Sequence, residues 1–404
     1  MTRFARRQFL AACGAIPLAA QQAAPARSEP TQSSQSQPSQ TQPAPRSSPS
    51  PSWNQVFFHD ADEQQLSILE IAFYSNRAAM AIALLSDRGR VKPASLRTTD
   101  SGVHWTLGEL KPTALSVQFL DEANGWMAAT NGIYKSTDAG QSWRRVVRNS
   151  EIRHVRFADR ERGYAAGGEC TALETIDGGK SWKPIEAASS YKANKDRINY
   201  RWIELANTTM GFIVGSYDPV RPYRRDDLPA WIDPESSRRL HRQTPALSLV
   251  LQTIDGGKVW KPTSSSIFGH ITRLRMGSRG LGLALVEFDD SFDYASEVFL
   301  INLSTGKTDR TYREAERAIT DVLIRDDGSF WMAGVESPGR LRTSPIPAKV
   351  HILKGDGGGN WIEMEVDYRA TARRVRFAES PTGQLFACTD TGMILHLGTP
   401  PAKT

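Results

Sequence analysis

One eight-residue pattern recurs along the chain and constrains its fold more than any other feature. It consists of Thr or Ser, a variable residue, Asp, a small residue, Gly, two variable residues and Trp. The Asp side chain is short enough to accept hydrogen bonds from the backbone of its own turn, and Gly readily adopts a positive φ. The Trp ring then anchors the start of the next strand to the core. Each copy therefore predicts a turn between two strands. The Asp and Trp positions of the copies are Asp100 and Trp105, Asp138 and Trp143, Asp177 and Trp182, Asp255 and Trp260, and, in a degraded copy, Asp356 and Trp361.

The spacing of these copies predicts the architecture. Trp105 and Trp143 are 38 residues apart, and Trp143 and Trp182 are 39 residues apart. A period of roughly 40 residues is typical of propeller blades with four short strands each. Between the octets, segments with alternating apolar residues return in a fixed order, as expected for strands.

Counting these units predicts seven blades. The long interval after Trp260 contains two units, which begin at Ile271 and Ile319, and the last unit ends near Leu397 without a fourth strand. The segment Trp53–Phe58 begins with Trp and has no partner strands of its own. We therefore expect it to complete the last blade and close the ring, which removes two exposed sheet edges. The predicted fold is an all-β, seven-bladed β-propeller over residues 53–398, followed by a tail at 399–404.

The N-terminal sequence predicts export. Residues 1–26 contain a basic start and a short apolar run, and Arg6-Arg7-Gln8-Phe9-Leu10 resembles a twin-arginine signal. An ordinary secretory signal is the alternative, and both place the protein in the periplasm or outside the cell. Leu10–Cys13 also resembles a lipidation motif. Because few apolar residues separate this motif from the Arg pair, we expect Cys13 to be removed with the signal instead of being lipidated. Residues 27–52 are rich in Ser, Gln and Pro, which predicts a disordered linker.

The sequence offers little for metal or cofactor chemistry. It has neither His-Glu-x-x-His nor Cys-x-x-Cys, so we expect no cofactor and no transition-metal site. Asp289, Asp290 and Asp293 either bind calcium or form a solvated acidic loop. Cys170 and Cys388 fall in distant units, and we expect no disulfide between them. No apolar run approaches the roughly 20 residues needed to span a bilayer.

The octets resemble the Asp-box (BNR) repeat of sialidases and sortilin-type receptors. The longer pattern, from Val155–Phe157 through Gly163–Gly167 to Thr175–Trp182, resembles the photosystem II stability/assembly factor family and its bacterial relatives. The resemblance covers about residues 53–398. It implies a non-enzymatic propeller that binds a membrane-protein subunit and carries an arginine-rich patch. The long linker and the large insertions of this chain depart from the compact family pattern.

The longer insertions fall between the second and third strands of their units. In Asp-box propellers the octet lies between the third and fourth strands, so these insertions are predicted to emerge on the opposite face. They are Ser86 to Ser95, Tyr217 to Leu247, Glu287 to Glu297 and Glu336 to Lys349. The largest insertion combines Arg with aromatic residues, as protein interfaces do, although a solvated loop over the channel mouth is an alternative. Its candidate partner-binding residues are Arg221, Tyr223, Arg224, Arg225, Trp231, Arg238 and Arg239.

Basic residues also recur in the first strand of several units. Alignment of these strands places Arg156, Arg275 and Arg376 at one position, with His154, Arg273 and Arg374 two residues earlier. Strand alternation directs both sets away from the apolar face and toward the central channel. They either bind a carboxylate or an acidic peptide, or they form ion pairs along the channel wall with Glu70, Glu204 and Asp321.

The combined pattern predicts an exported, non-enzymatic binding or assembly module. Its expected partner is a protein, such as an envelope or membrane-protein subunit, and it is engaged through the insertion-bearing face and the basic channel mouth. The net charge of +6 is consistent with an acidic partner, and export argues against nucleic acid. The alternative is a sialidase-type glycoside hydrolase, with three arginines on the substrate carboxylate and Tyr200 activated by Glu204. Against it, the Phe-Arg-Ile-Pro motif of sialidases is absent.

Overall fold

The strands of this chain close into a ring of seven antiparallel sheets. The computed structural model describes residues 51–217, 246–288, 294–336, 347–357 and 359–398, and within these ranges 29 strands form the seven sheets. The first strands of successive sheets contact one another around the ring, and the last of them returns to the first. The predicted all-β, seven-bladed propeller is confirmed. The predicted signal (1–26), nearly all of the linker (27–52) and the tail (399–404) lie outside the described residues.

The chain builds the first four blades in order, after a first strand, β1 (Trp53–Phe58). Blade 1 contains β2 (Gln64–Phe73), β3 (Ala79–Asp87), β4 (Arg90–Thr98) and β5 (Thr106–Glu109). Blade 2 contains β6 (Ala114–Phe119), β7 (Gly125–Ala129), β8 (Gly132–Ser136) and β9 (Arg144–Val147). Blade 3 contains β10 (Ile152–Phe157), β11 (Gly163–Gly167), β12 (Ala172–Thr175) and β13 (Lys183–Pro184). Blade 4 contains β14 (Ile198–Leu205), β15 (Gly211–Tyr217), β16 (Ala246–Thr253) and β17 (Lys261–Ile267), and two short 3-10 helices, Glu186–Ser189 and Lys195–Arg197, precede it.

The last three blades complete the ring. Blade 5 contains β18 (His270–Met276), β19 (Leu281–Glu287), β20 (Ser296–Asn302) and β21 (Lys307–Tyr312). Blade 6 contains β22 (Arg317–Ile324), β23 (Phe330–Glu336), β24 (Ala348–Gly355) and β25 (Trp361–Glu363), with a short β26 (Thr371–Ala372) paired to β24. Blade 7 contains β27 (Val375–Glu379), β28 (Leu385–Thr389) and β29 (Met393–Leu397), and β1 is its outer strand.

The N-terminal strand closes the ring as the sequence predicts. β1 pairs with β29 from Trp53 opposite Leu397 to Phe58 opposite Met393. Trp53 is fully buried, and its ring lies 5.9 Å from that of Trp331 and 5.8 Å from that of Phe377. One residue therefore joins the closing strand to blade 6 and blade 7.

The octets form the predicted turns between the third and fourth strands. In blade 2, Asp138 Oδ1 accepts hydrogen bonds from the Ser142 N–H (2.9 Å) and the Ser136 hydroxyl (2.7 Å). Asp138 Oδ2 also accepts from the Ser142 hydroxyl (2.5 Å). This bond, followed by the two to Oδ1, lowers the pKa of Asp138 to about 2. In blade 1, Gly102 has a φ of +84°, and a Cβ there would lie 2.6 Å from the Phe386 ring of blade 7. The glycine is thus needed both for the turn and for the packing of adjacent blades.

The hydrophobic core lies between neighbouring sheets. A representative cluster joins Phe212 and Val250 of blade 4 to Leu274 and Ala284 of blade 5, all of which are buried. Because each blade packs only on its two neighbours, the inner strands form a wall around a central channel. Cys170 in blade 3 and Cys388 in blade 7 are free thiols.

Long connections leave the ring at the ends of second strands. Ile198 pairs with Tyr217, so the start of the inner strand in blade 4 lies beside the root of its insertion. His270 pairs with Glu287 in blade 5 in the same way. We call this end of the ring the insertion face. The predicted insertion at Ser86 to Ser95 does lie between the second and third strands, but it lengthens β3 and β4 of a tight hairpin instead of forming a loop.

Candidate functional site in the central channel

Each inner strand ends in the same turn, which fixes the register of the channel wall. The Ala158 N–H donates to the Arg162 carbonyl (2.9 Å) in blade 3, and the Ser380 N–H donates to the Gln384 carbonyl (2.9 Å) in blade 7. Four residues before the donor of this turn, each blade places one side chain on the channel cavity. We call these seven residues the inner ring: Glu70, Ser116, His154, Trp202, Arg273, Asp321 and Arg376.

This register corrects the sequence alignment of the basic residues. Arg156 and Arg275 lie two residues before the turn donor, whereas Arg376 lies four residues before it and belongs with His154 and Arg273. The Val-Arg-Phe motif of blade 7 is shifted because Ala378 and Glu379 separate it from the turn donor Ser380, whereas Phe157 directly precedes the donor Ala158. β27 also lacks the bulge that the other six inner strands share. Arg374 precedes β27 altogether. Its side chain is 55% exposed and lies 3.8 Å from the Glu287 carboxylate.

The bulges place additional side chains on the insertion-face side of the ring. In blade 3 the bulge falls between Ile152 and His154, so Arg153 is the extra residue, and in blade 4 the equivalent residue is Arg201. Both residues are exposed and line the cavity. Together with Arg374 they form what we call the channel mouth.

Three ion pairs lie along the channel wall. Arg156 Nη2 is 2.5 Å from Glu70 Oε1. Arg273 Nε is 3.4 Å from Asp321 Oδ1, and Arg275 Nη1 is 3.6 Å from Glu204 Oε2. The wall pairs considered in the sequence analysis are therefore present for three of the five predicted channel arginines. Arg376 instead donates to the Thr320 carbonyl.

The same carboxylates also connect neighbouring blades. The Val117 N–H donates to Glu70 Oε2 (2.9 Å), and the Met276 N–H donates to Glu204 Oε1 (3.0 Å). Asp321 Oδ2 accepts from the Phe377 N–H at 2.9 Å. Each carboxylate thus contacts an arginine and also accepts a hydrogen bond from the backbone of a neighbouring blade. Because its negative charge is shared between these two contacts, it does not neutralise the arginine fully.

Trp202 organises the arginines, and sequence reasoning did not identify it as a site residue. The guanidinium carbons of Arg273, Arg275 and Arg156 lie 4.4, 4.8 and 5.7 Å from its ring centroid. The His154 ring lies 4.4 Å away. Cations are attracted to the face of an indole. An alignment with the correct register would have revealed it, because Trp202 is the aromatic member of the inner ring.

His154 is held neutral inside the wall. Its Nδ1 accepts a hydrogen bond from the Ile203 N–H (3.2 Å), which places the proton of the neutral ring on Nε2. Burial, reinforced by the positive charges of Arg156, Arg273 and Arg275, lowers the pKa of His154 well below its ordinary value. The Nε2 atom is buried and has no hydrogen-bond partner among the residues that the structure describes.

Arg273 and Arg275 differ in their electrostatic environment. Burial lowers the pKa of Arg273 to about 9, and the nearby charge of Arg376 acts in the same direction. Burial is also the largest single influence on Arg275, but the carboxylates of Glu204, Asp321 and Glu70 together outweigh it and raise the pKa of Arg275. Both side chains remain charged at neutral pH.

Other predicted residues do not join this site. Tyr200 is buried between blades 3 and 4, where its hydroxyl donates to the Ala188 carbonyl (2.9 Å), so it is not placed as a nucleophile in the channel. Three predicted groups lie outside the described residues: the basic and aromatic residues of the 218–245 insertion (Arg221, Tyr223, Arg224, Arg225, Trp231, Arg238 and Arg239), the acids Asp289, Asp290 and Asp293, and Cys13.

Within the described ranges, no cluster of three or more His, Cys, Asp or Glu residues has metal-binding geometry, and no helix is long and apolar enough to cross a membrane.

Comparison with known proteins identifies relatives in structure alone. No protein-family model and no curated protein sequence matches the chain. A structure of YCF48 bound to D1 peptide is similar with a TM-score of 0.54 and 15% identity, covering 85% of this chain and 99% of that one. YCF48 from Cyanidioschyzon merolae has a TM-score of 0.53 and 16% identity, covering 86% and 98%. The WD40 propeller domain of Doa1 has a TM-score of 0.52 and 10% identity, covering 86% and 97%. At these identities the likeness concerns the fold.

Proposed function

We propose that this chain is a non-enzymatic binding propeller that engages a protein partner at the channel mouth and the insertion face. The observation that carries this proposal is the exposed basic surface where the inner strands begin. Arg153 and Arg374 have side chains 47% and 55% exposed there, and Arg201 is exposed beside them. Arginine anchors many protein interfaces, and complementary charge directs a partner to such a surface. The partner should therefore present acidic groups.

The structural neighbours support binding as a use of this fold. YCF48 is described as bound to D1 peptide, so one propeller of similar topology holds a polypeptide segment. The partner itself does not transfer at 15% identity. We further propose that the chain acts outside the cytoplasm, on the basis of its Arg6-Arg7 signal pattern. Cell fractionation of the tagged full-length chain, with Arg6→Lys/Arg7→Lys as the comparison, tests this location.

A paired charge-reversal experiment tests the binding surface. Protein carrying Arg153→Glu and Arg201→Glu is compared with protein carrying Lys180→Glu and Lys258→Glu, two exposed octet residues on the opposite face. Partners are captured from envelope extract by crosslinking and identified by mass spectrometry, and binding is then measured with the purified partner. We expect the channel-mouth variant to bind at least about tenfold more weakly, and the octet variant to bind like the wild type.

A second variant addresses the large insertion. Replacing residues 218–245 with a short Asn-Gly turn joins Tyr217 to Ala246, whose strands are already paired. Loss of partner binding with an unchanged melting temperature is expected if this connection contributes to the interface. Unchanged binding in both the loop variant and the channel-mouth variant would reject the proposed surface.

The hydrolase alternative makes an opposite prediction. The buried hydroxyl of Tyr200 does not support nucleophilic attack in the channel, and burial raises its pKa far above the ordinary value. We expect no turnover of fluorogenic sialosides by the purified protein. Turnover that is abolished in Arg275→Ala would favour the hydrolase instead.

A further inference from the structure

The channel contains a partly open cavity to which all seven blades contribute. Its volume is about 130 Å³, and every inner-ring residue lines it. This volume holds about four water molecules at their liquid density. It is smaller than the roughly 300–1,000 Å³ of pockets that take drug-sized ligands. The cavity therefore suits an occupant much smaller than a drug-sized ligand.

The buried polar atoms around this cavity are mostly donors without partners. Among the described lining residues, three buried donors lack hydrogen bonds: His154 Nε2, Arg273 Nε and Arg275 Nε. One buried acceptor, Asp321 Oδ1, also lacks a hydrogen bond. Arg273 Nε lies 3.4 Å from Asp321 Oδ1 without the alignment of a hydrogen bond. Buried polar groups in folded proteins are nearly always paired. The excess of donors thus calls for an occupant that carries acceptor atoms.

The charges of the inner wall have the same imbalance. Four guanidinium groups face three carboxylates within the described wall, and the carboxylates also accept backbone N–H groups. Arg376 and Arg273 repel each other, as the effect of Arg376 on the pKa of Arg273 indicates. A negative occupant between these two side chains would relieve the repulsion. The four guanidinium groups belong to Arg156, Arg273, Arg275 and Arg376.

Trp202 limits how the guanidinium groups can move. Arg273 and Arg275 both lie over its ring, within 5 Å of the centroid. The Trp202 Nε1–H is itself fixed by the Leu274 carbonyl at 2.8 Å. A guanidinium attracted to an aromatic face keeps N–H groups available for hydrogen bonds to an oxyanion. The donors are therefore preorganised.

From this geometry we propose that the cavity lined by the inner ring is a binding site for a small oxyanion, a phosphate or a short dicarboxylate, held by Arg273, Arg376 and the Nε2–H of His154. The inference concerns the interior of the channel. It does not depend on the protein partner proposed for the channel mouth.

Calorimetry with defined anions tests this site. The purified full chain is dialysed into chloride buffer and titrated at neutral pH with inorganic phosphate, with succinate and with the neutral analogue succinamide. We expect saturable binding of phosphate or succinate with a stoichiometry of one, a matching rise in melting temperature, and no binding of succinamide. The phosphate and succinate arms distinguish the two sources of the oxyanion.

Variants assign the binding to the cavity. Arg376→Gln and Arg273→Gln should each weaken binding about tenfold or more. Arg88→Gln serves as the matched control and should bind like the wild type, because the Arg88 side chain is 80% exposed in a surface ion pair with Glu63. Arg376→Gln also guards against misfolding, since in the described structure this arginine contacts a carbonyl and no carboxylate.

Two outcomes would overturn the proposal. One is the absence of saturable binding of either anion to folded wild-type protein. The other is binding that neither channel variant weakens. Partner capture is tested at Arg153, Arg201 and residues 218–245, whereas anion binding is tested at Arg273 and Arg376, so the two proposals can fail separately.

Discussion

The hydrogen bonds that each octet aspartate accepts stabilise its turn. Asp138 accepts from both the backbone and the hydroxyl of Ser142, and Asp138→Ala removes these bonds. We expect the free energy of unfolding to fall by about 1–2 kcal/mol, measured by urea titration. Asp309→Ala, at an exposed position in β21, should change it by less than about 0.5 kcal/mol. Equal effects of the two substitutions would contradict the assigned role.

His154 should make the stability depend on pH. The pKa of His154 lies well below 6.5 in the folded protein, whereas the unfolded chain takes up a proton near 6.5. Its contribution is therefore fully present above about pH 6.5 and is lost as the pH falls below that value. We expect His154→Gln to show a smaller loss of stability between pH 7 and pH 5 in urea titrations. Gln can still accept from the Ile203 N–H.

The comparison of pH curves has an internal control. His396 also has a pKa lowered by burial, so it contributes a loss in the same direction in both proteins. The difference between the two curves isolates His154. Parallel curves over this pH range would show that His154 is not held neutral.

At the scale of single residues, the hydrogen-bonded octet turns were predictable from the sequence, whereas the register of the inner strands was not. The Asp-Gly turns follow from bonds between residues four apart or fewer, so the sequence alone reveals them. Arg376 was misaligned because the Val-Arg-Phe triplet does not reveal that two more residues separate it from the turn in blade 7 than in blade 3. Trp202 was missed because only charged residues were compared at this position of the inner strands.

At the scale of the strands, β1 has a special role because it completes blade 7 and closes the ring. Trp53 is fully buried against Trp331 and Phe377. We expect Trp53→Ala to lower the free energy of unfolding by about 3–5 kcal/mol. Phe58→Ala, at the 45% exposed end of the same strand, should cost much less. Chemical denaturation followed by circular dichroism compares them, and similar losses would argue against a closing role for Trp53.

The strand order was predictable because alternation and Gly-plus-aromatic segments recur with the octets. The lengths of the hairpins were not. Ser86 to Ser95 looks like an insertion in the alignment, but Arg88 and Gly89 both have positive φ and form a tight turn. The extra residues extend the ladder instead. Sequence spacing alone does not distinguish a longer strand from a longer loop.

For the whole molecule, closure of the ring should control association. A chain lacking residues 51–58 exposes the edge of β29, and unpaired edges pair readily with other chains. We expect the truncated chain to self-associate in a concentration-dependent way, measured by size-exclusion chromatography with light scattering. A synthetic peptide of residues 51–59 should restore the monomer. A truncated chain that stays monomeric without the peptide, with unchanged unfolding, would contradict this expectation.

The closing pair also imposes an order on the making of the protein. Trp53 pairs with Leu397, and Asn54 bonds to Gly398, 344 positions away. The first strand of the ring must therefore wait during synthesis for the last strand before it gains its neighbours. Blades 1 to 6 can assemble earlier, but the ring closes only after residue 397 has been translated. A frameshift or stop codon before β29 would consequently leave β1 unpaired as well.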